Sequence, residues 1–272
     1  MGYSIFQNTM VDMTYPQIEE AIEKGACVLL PISVVEEHGP HLCTGTDIYL
    51  TQTICEKIKH QLDDKGKPAM IAPPFYWGIN SITNDFVGSF SISSEIMEAL
   101  LLEILENLKK WGIKKIFMLN FHGDYMHIKK IAEIAKEAFN ERKIDAYFIN
   151  NKSTFAQFGI TQEAPYLLNV SLDPKLLSHM GSDSFDIHAG AVETSWMMLD
   201  YKELVKPDIA KQMKATNLSV AELKTWLHGG NAAREITPLG YCGNPANIDT
   251  ITIQQLEDET VNAFASCIYK IV

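Results

Sequence analysis

Positive charge is scarce in this chain, and so is any pairing of cysteines. Lys and Arg number 23 against 34 Asp and Glu, a formal net charge of −11. Nucleic acids and anionic membranes recruit basic surface, so this balance argues against both as partners. The five cysteines, Cys27, Cys43, Cys55, Cys242 and Cys267, are odd in number, and no two stand in C-x-x-C spacing. A disulfide framework or a structural zinc knuckle is therefore not expected, and a reducing cytoplasm is. No apolar run approaches the roughly 20 residues of a membrane helix. The opening MGYSIFQNTMVDM has no basic segment followed by an apolar one, so no secretory signal is expected. The chain also lacks G-x-G-x-x-G, a phosphate loop and a G-x-S-x-G elbow. Nucleotide cofactors and a serine nucleophile have no support.

What is present is 46% hydrophobic over 272 residues, ample for a sizeable core. Short apolar runs alternate with helical periodicities, which predicts an α/β fold: a three-layer α/β/α sandwich with a mainly parallel central sheet, in one domain over residues 1–272. Strands are predicted at 26–32, 67–72, 114–120 and 146–150. Helices are predicted at 16–25, from Thr46 or Asp47 through Leu62, from Ser93 or Ser94 to Gly112, at 125–140, at 189–201 and at 250–269. In the third of these, Ile96, Leu100, Leu101, Ile104, Leu108 and Trp111 recur at helical spacing. Residues 151–186 are less periodic and read as loops or an insertion, 206–217 as a linker, and 229–249 as loop.

Ligands of such sheets sit beyond the carboxyl ends of the strands. VVEEHGPHLCTGTD (34–47) and LNFHGDYMH (119–127) both follow such ends. In extended chain, Glu36 and His38 face one side and Glu37 the other, and Asp47 returns after a turn. Imidazole and carboxylate together suit zinc, manganese or iron better than calcium or magnesium. His122 and Asp124 form a second cluster, with Gly123 between them. His188 and Glu193, in DIHAGAVETSWMM, form a third beside a helix start, where Glu193 gains from the dipole and His188 is a natural proton carrier. His41, His60, His127 and His228 read as shaping or packing residues, His179 and Asp183 as loop residues, and Trp196, Met197 and Met198 as core.

PISVVEEHGPHL (31–42) with Thr46-Asp47, NFHGD (120–124), HAGAVETS (188–195) and GYCGNP (240–245) together resemble, in order, the motifs of the creatininase (creatinine amidohydrolase) family. The resemblance implies a two-metal site, with zinc or manganese the expected ions and iron possible. Glu36 and His122 would hold one ion, His38 the other, and Asp47 would bridge. Asp124, one methylene shorter than the family's glutamate, would complete the second ion, with Glu193 the alternative. His188 matches a histidine implicated in proton transfer. Homo-oligomers, commonly hexamers, are also implied. Departures lie around the pocket: no tryptophan stands between Trp111 and Trp196, Phe155 and Phe158 occupy the corresponding stretch, and Asn80 and Thr83 stand where many relatives carry serine and histidine. Glu37 replaces a common glutamine and Cys43 a common proline. The metal core is kept and the substrate pocket changed, which points away from creatinine.

The expected chemistry is metal-assisted hydrolysis of a C–N bond in a small cyclic amide or formamide-like substrate. His188 would donate a proton to the leaving nitrogen, and Asp124 or Glu193 would accept one from water. Ring opening of a cyclic ketone such as a keto-inositol is one alternative. A non-catalytic, metal-stabilised binding or assembly protein is the other.

Overall fold

The computed structural model describes residues 4–160, 163–172 and 185–272. Five strands form its sheet: β1 (Cys27–Ile32), β2 (Ala69–Ile71), β3 (Ile116–Asn120), β4 (Ala146–Asn151) and β5 (Leu167–Val170). Their order is β2-β1-β3-β4-β5, and every neighbouring pair is parallel. β1 is buried along its whole length, as a strand covered on both faces must be. Its side chains alternate between two cores. Val28, Leu30 and Ile32 pack with α3 (Ser94–Lys110) and α4 (Tyr125–Asn140), while Cys27 and Leu29 pack with α2 (Thr46–Asp64) and α10 (Thr250–Tyr269). This is the expected α/β/α layering.

In the sheet order, the chain leaves β1 for one edge and returns beside it as β3. The carboxyl ends of β1 and β3 therefore flank the point where the winding reverses, which is where open α/β sheets bind ligands. Residue by residue, Ile32 pairs with Asn120. The two motif loops that follow these strands are neighbours for that reason.

Several elements depart from expectation. The buried face of α3 is Met97, Leu101, Leu105 and Leu108; Ile96, Leu100 and Trp111 are exposed. Leu101 and Leu108 of the expected residues are buried, and an apolar stripe wider than one face carried the reading on to its exposed side. Within 151–186, the described residues include α5 (Lys152–Gln157) and β5. At four residues, with Asn169 exposed, β5 is too short to show a period. His179 and Asp183 lie outside the described residues. The helix expected from 189 begins later, as α6 (Ala191–Asp200), because Ala189 takes a left-handed φ of 48° and breaks the turn. The linker contains the short α7 (Pro207–Ala210). α8 (Val220–Trp226) follows, and the loop expected at 229–249 contains α9 (Gly230–Ile236), masked in sequence by its leading glycine pair. No helix among the described residues is long and apolar enough to cross a membrane.

Candidate metal centre

Asp47 lies in the first turn of α2, 1% exposed, and its two oxygens face two different sets of ligands. Oδ2 is 2.9 Å from His122 Nδ1, and Glu36 Oε2 is 3.1 Å from the same nitrogen. Oδ1 is 3.2 Å from His38 Nε2, which is 3.7 Å from Glu193 Oε2. Glu36, Asp47 and His122 form one group whose ligand atoms converge, and His38, Asp47 and Glu193 form another. Helix geometry favours both acids: Asp47 and Glu193 each occupy a first turn, where the dipole attracts negative charge.

The ring orientations show which nitrogens are free. His38 Nδ1 donates to the Glu36 carbonyl at 3.0 Å, and His122 Nε2 donates to the Ile79 carbonyl at 3.2 Å. A carbonyl can only accept, so each of these nitrogens carries a proton. In the neutral rings, Nε2 of His38 and Nδ1 of His122 then present lone pairs to carboxylates. Backbone carbonyls fix ligating histidines in metal sites in this way. Glu36 Oε2 and Asp47 Oδ2 are buried without a hydrogen-bond partner. Lone pair against lone pair at these distances is repulsive unless a cation or an added proton lies between them. The donor set of two imidazoles and three carboxylates suits zinc or manganese, so the residues present fit a divalent metal pair.

Titration reflects the same electrostatics. Burial alone would push His38 down, but Asp47, Glu193 and Glu36 override it and hold the ring well above the ordinary imidazole value. His122 is likewise raised against its burial, by Glu36 and Asp47. Burial opposes ionisation of Glu36, yet His188 and His122 bring it down to about 2. Protons are drawn to the places that cations would fill.

His188 closes the site from the third motif. Its Nε2 donates to the Glu37 carbonyl at 2.8 Å, and its ring lies 4.4 Å from that of His38. Its main chain exchanges hydrogen bonds with Cys242 of the fourth motif, from His188 N at 3.1 Å and from Cys242 N at 2.8 Å. Asp186 explains two motif glycines. Its carboxylate accepts from Ala191 N, Val192 N and Asn244 N, and a Cβ on Gly190 or Gly243 would fall 1.9 or 2.3 Å from Asp186 Oδ1. Glu37, expected to point away from its neighbours, is buried, with Oε1 3.5 Å from His188 Nε2.

Asp124, expected at the second ion, is in none of the ligand groups found among the described residues. Both its oxygens are occupied. Oδ1 accepts from Met126 N and His127 N as the cap of α4, and Oδ2 accepts from Ser81 N and Ser81 Oγ. Its shorter side chain serves the helix start, and Glu193 stands at the second group instead. His41 is fully buried, with Nε2 2.8 Å from Thr194 Oγ1, and shapes the loop as expected. His60 and His228 are exposed, and Trp196 is core, its N–H donated to Glu257 at 2.7 Å.

Three contributors make contacts that were not read from sequence. Thr83 donates to Glu36 Oε1 at 2.6 Å, which leaves Oε2 for a metal. His127 accepts from Ile79 N, the residue whose carbonyl orients His122. Trp226, on α8, lines the cavity with Ile82 and Ile187. Only the absence of tryptophan before the third motif hinted that an aromatic wall would come from elsewhere. The cavity at the ligands is ≈ 30 Å³. A larger one, ≈ 600 Å³ between α2 and α10, touches none of these residues.

Comparison with known proteins agrees with this geometry. Creatinine amidohydrolase of Pseudomonas putida is 24% identical over 218 residues, 76% of each chain. Mycofactocin precursor peptide peptidase of Mycobacterium ulcerans is 25% identical over 240 residues, covering 86% of this chain and 81% of that one. The 3-dehydro-scyllo-inosose hydrolase of Thermotoga maritima is 22% identical over 280 residues, covering 96% and 81%. A manganese form of creatininase superposes with a TM-score of 0.73 at 18% identity, over 97% of this chain and 98% of that one. The family model described as Creatininase: Creatinine amidohydrolase matches residues 11–268. With the motifs, the sheet and the ligand groups in agreement, this chain belongs to the creatininase family of metal-dependent amidohydrolases.

Proposed function

We propose that this enzyme is a dinuclear metal hydrolase that cleaves the C–N bond of a small cyclic amide or formamide-like substrate, with creatinine disfavoured. The observation that carries this reading is the Asp47 carboxylate, one oxygen directed to Glu36 and His122 and the other to His38 and Glu193. Glu36, Asp47 and His122 would hold one ion; His38, Asp47 and Glu193 the other, Glu193 taking the place expected of Asp124. Zinc and manganese are the proposed ions, and creatininase structures of a manganese form and a zinc–zinc mutant type support that choice. When bound, such ions polarise a carbonyl and lower the pKa of water toward neutrality.

The chain's own residues supply positioning and protons. His188, its ring fixed by the Glu37 carbonyl, faces the cavity as proton donor to the leaving nitrogen. Glu193 is the carboxylate placed to take a proton from water; Asp124, with both oxygens engaged, holds the start of α4. Ile82, Ile187 and Trp226 limit water around the reacting group. A second reading, ring opening of a cyclic ketone, is supported by the inosose hydrolase, whose similarity runs over 96% of this chain. The same proposal takes residues 1–272 as one creatininase-like domain, a homo-oligomer and possible hexamer, located in the cytoplasm; five free cysteines suit a reducing compartment.

Metal content by mass spectrometry, wild type beside Asp47→Ala, tests the centre. Near two ions per chain, falling sharply in the variant, is the expected result; one ion or none in reconstituted wild type removes the dinuclear claim. Amine release from an amide panel then separates the two readings, because ring-opened product without amine supports the ketone.

A further inference from the structure

A second cavity, ≈ 220 Å³, opens at the carboxyl ends of β3 and β4 and shares His122 and Gly123 with the metal cavity. Its wall is aromatic. Phe121 meets Trp196 edge-on at 5.9 Å and stacks on Phe264 at 6.0 Å. The polar groups of that wall are already engaged: Trp196 donates its N–H to Glu257, and Glu257 pairs with Lys57 on its far side. That wall therefore presents apolar faces, while Asn120, Asn150, Asn151, Thr154 and Thr260 add polar groups elsewhere in the lining. The metal cavity, at ≈ 30 Å³, has room for a reacting group and little else. Gly123 lines both spaces and is exposed, and an added Cβ there would meet nothing within 4 Å, so no side chain crowds the backbone at that point.

We infer that this second compartment is a substituent pocket, and that the substrate is a neutral amide bearing an aryl or branched alkyl group rather than a compact polar ring. This rests on the hydrolase reading above. The scissile group enters the metal cavity while its substituent passes Gly123 and lies against Phe121, Trp196 and Phe264. A charged substituent is disfavoured, since nothing in that aromatic wall would replace its hydration. Binding energy from such a remote group orients the reacting atoms.

The test uses the zinc-loaded protein and a series of formamides: unsubstituted, N-methyl, N-propyl and N-benzyl. Amine release is followed kinetically, and binding of N-benzylformamide and of benzyl alcohol is followed by calorimetry. Burying a methylene contributes about 0.8 kcal/mol, so kcat/KM should rise about fourfold per methylene, and Thr154→Trp, which fills the compartment from α5, should lower the benzyl-to-methyl ratio at least tenfold. Gly123→Val, set at the boundary, should lower the same ratio. A flat series, with no calorimetric binding of either benzyl compound to wild type, overturns the pocket. Binding of benzyl alcohol that Thr154→Trp abolishes, with no formamide hydrolysed, keeps the pocket and removes the hydrolase reading.

Discussion

His127 acts on the metal centre through a single residue of backbone. Its Nδ1 accepts from Ile79 N at 3.1 Å, and the Ile79 carbonyl accepts from His122 Nε2. Burial, and the positive character of His122 beside it, push its pKa well below the ordinary value, so the ring stays neutral and able to accept. The fit is close, for a Cβ on Gly78 would lie 2.4 Å from His127 Cε1. Removing such an outer partner of a metal ligand typically costs 10–100-fold in affinity. Under the proposed two-ion centre, His127→Ala should weaken the ion at His122 by about that factor and spare the one at His38, as read by chelator competition. Asn at 127, whose side-chain oxygen can take the same N–H, should restore much of it; equal loss in both variants would leave His127 a packing residue. Sequence placed His127 as packing, because its partner is a main-chain N–H contributed from 48 positions away.

At the scale of elements, α2, α6 and α10 are joined by a partly buried ionic cluster. Lys57 pairs with Glu257, which is fully buried, and with Asp200 at 3.3 Å. Burial first, and then Glu257, raise the Asp200 carboxyl to about 7. An acid whose folded pKa lies above its unfolded value binds more protons when folded, so its contribution falls as pH rises from about 4 through 7. Asp200→Asn should remove that slope and stabilise the protein at pH 8 by about 1 kcal/mol, a value discounted for the partial exposure of the group. Urea unfolding at pH 5 and pH 8 checks this; an unchanged difference between the two pH values would show that Lys57 already neutralises Asp200. Periodicity made α2 and α10 legible in sequence. It could not show that Trp196, Lys57 and Asp200 meet at Glu257, because that needs the order in which helices pack on the sheet.

Taken whole, the molecule collects three carboxylates and two imidazoles beyond the carboxyl ends of β1 and β3, with Glu36 Oε2 and Asp47 Oδ2 buried and without a hydrogen-bond partner. Ligands that bind only the folded state stabilise it, by roughly 2.7 kcal/mol at a hundredfold excess over Kd. For a chain of this size that corresponds to a rise of about 5–10 °C in melting temperature. Thermal unfolding after chelation, and again after adding zinc or manganese, should show a drop and a recovery of that order. No shift in either direction would mean that these side chains accommodate one another with protons alone.

Local sequence determined β1 to β4 and the long helices, because continuous apolar runs and helical spacing are properties of neighbouring residues. The candidate residues Glu36, His38, Asp47, His122, His188 and Glu193 were legible there too, since they lie in short segments tied to strand ends and helix starts. Tertiary structure alone decided the rest. Asp124 caps α4 locally through Oδ1, but its Oδ2 is occupied because Ser81 comes within hydrogen-bond reach of it. Thr83 took one oxygen of Glu36, and Trp226 walled the cavity from α8, well past the third motif. A carboxylate's role depends on which donors reach its two oxygens, and those donors arrive from parts of the chain that only folding brings together.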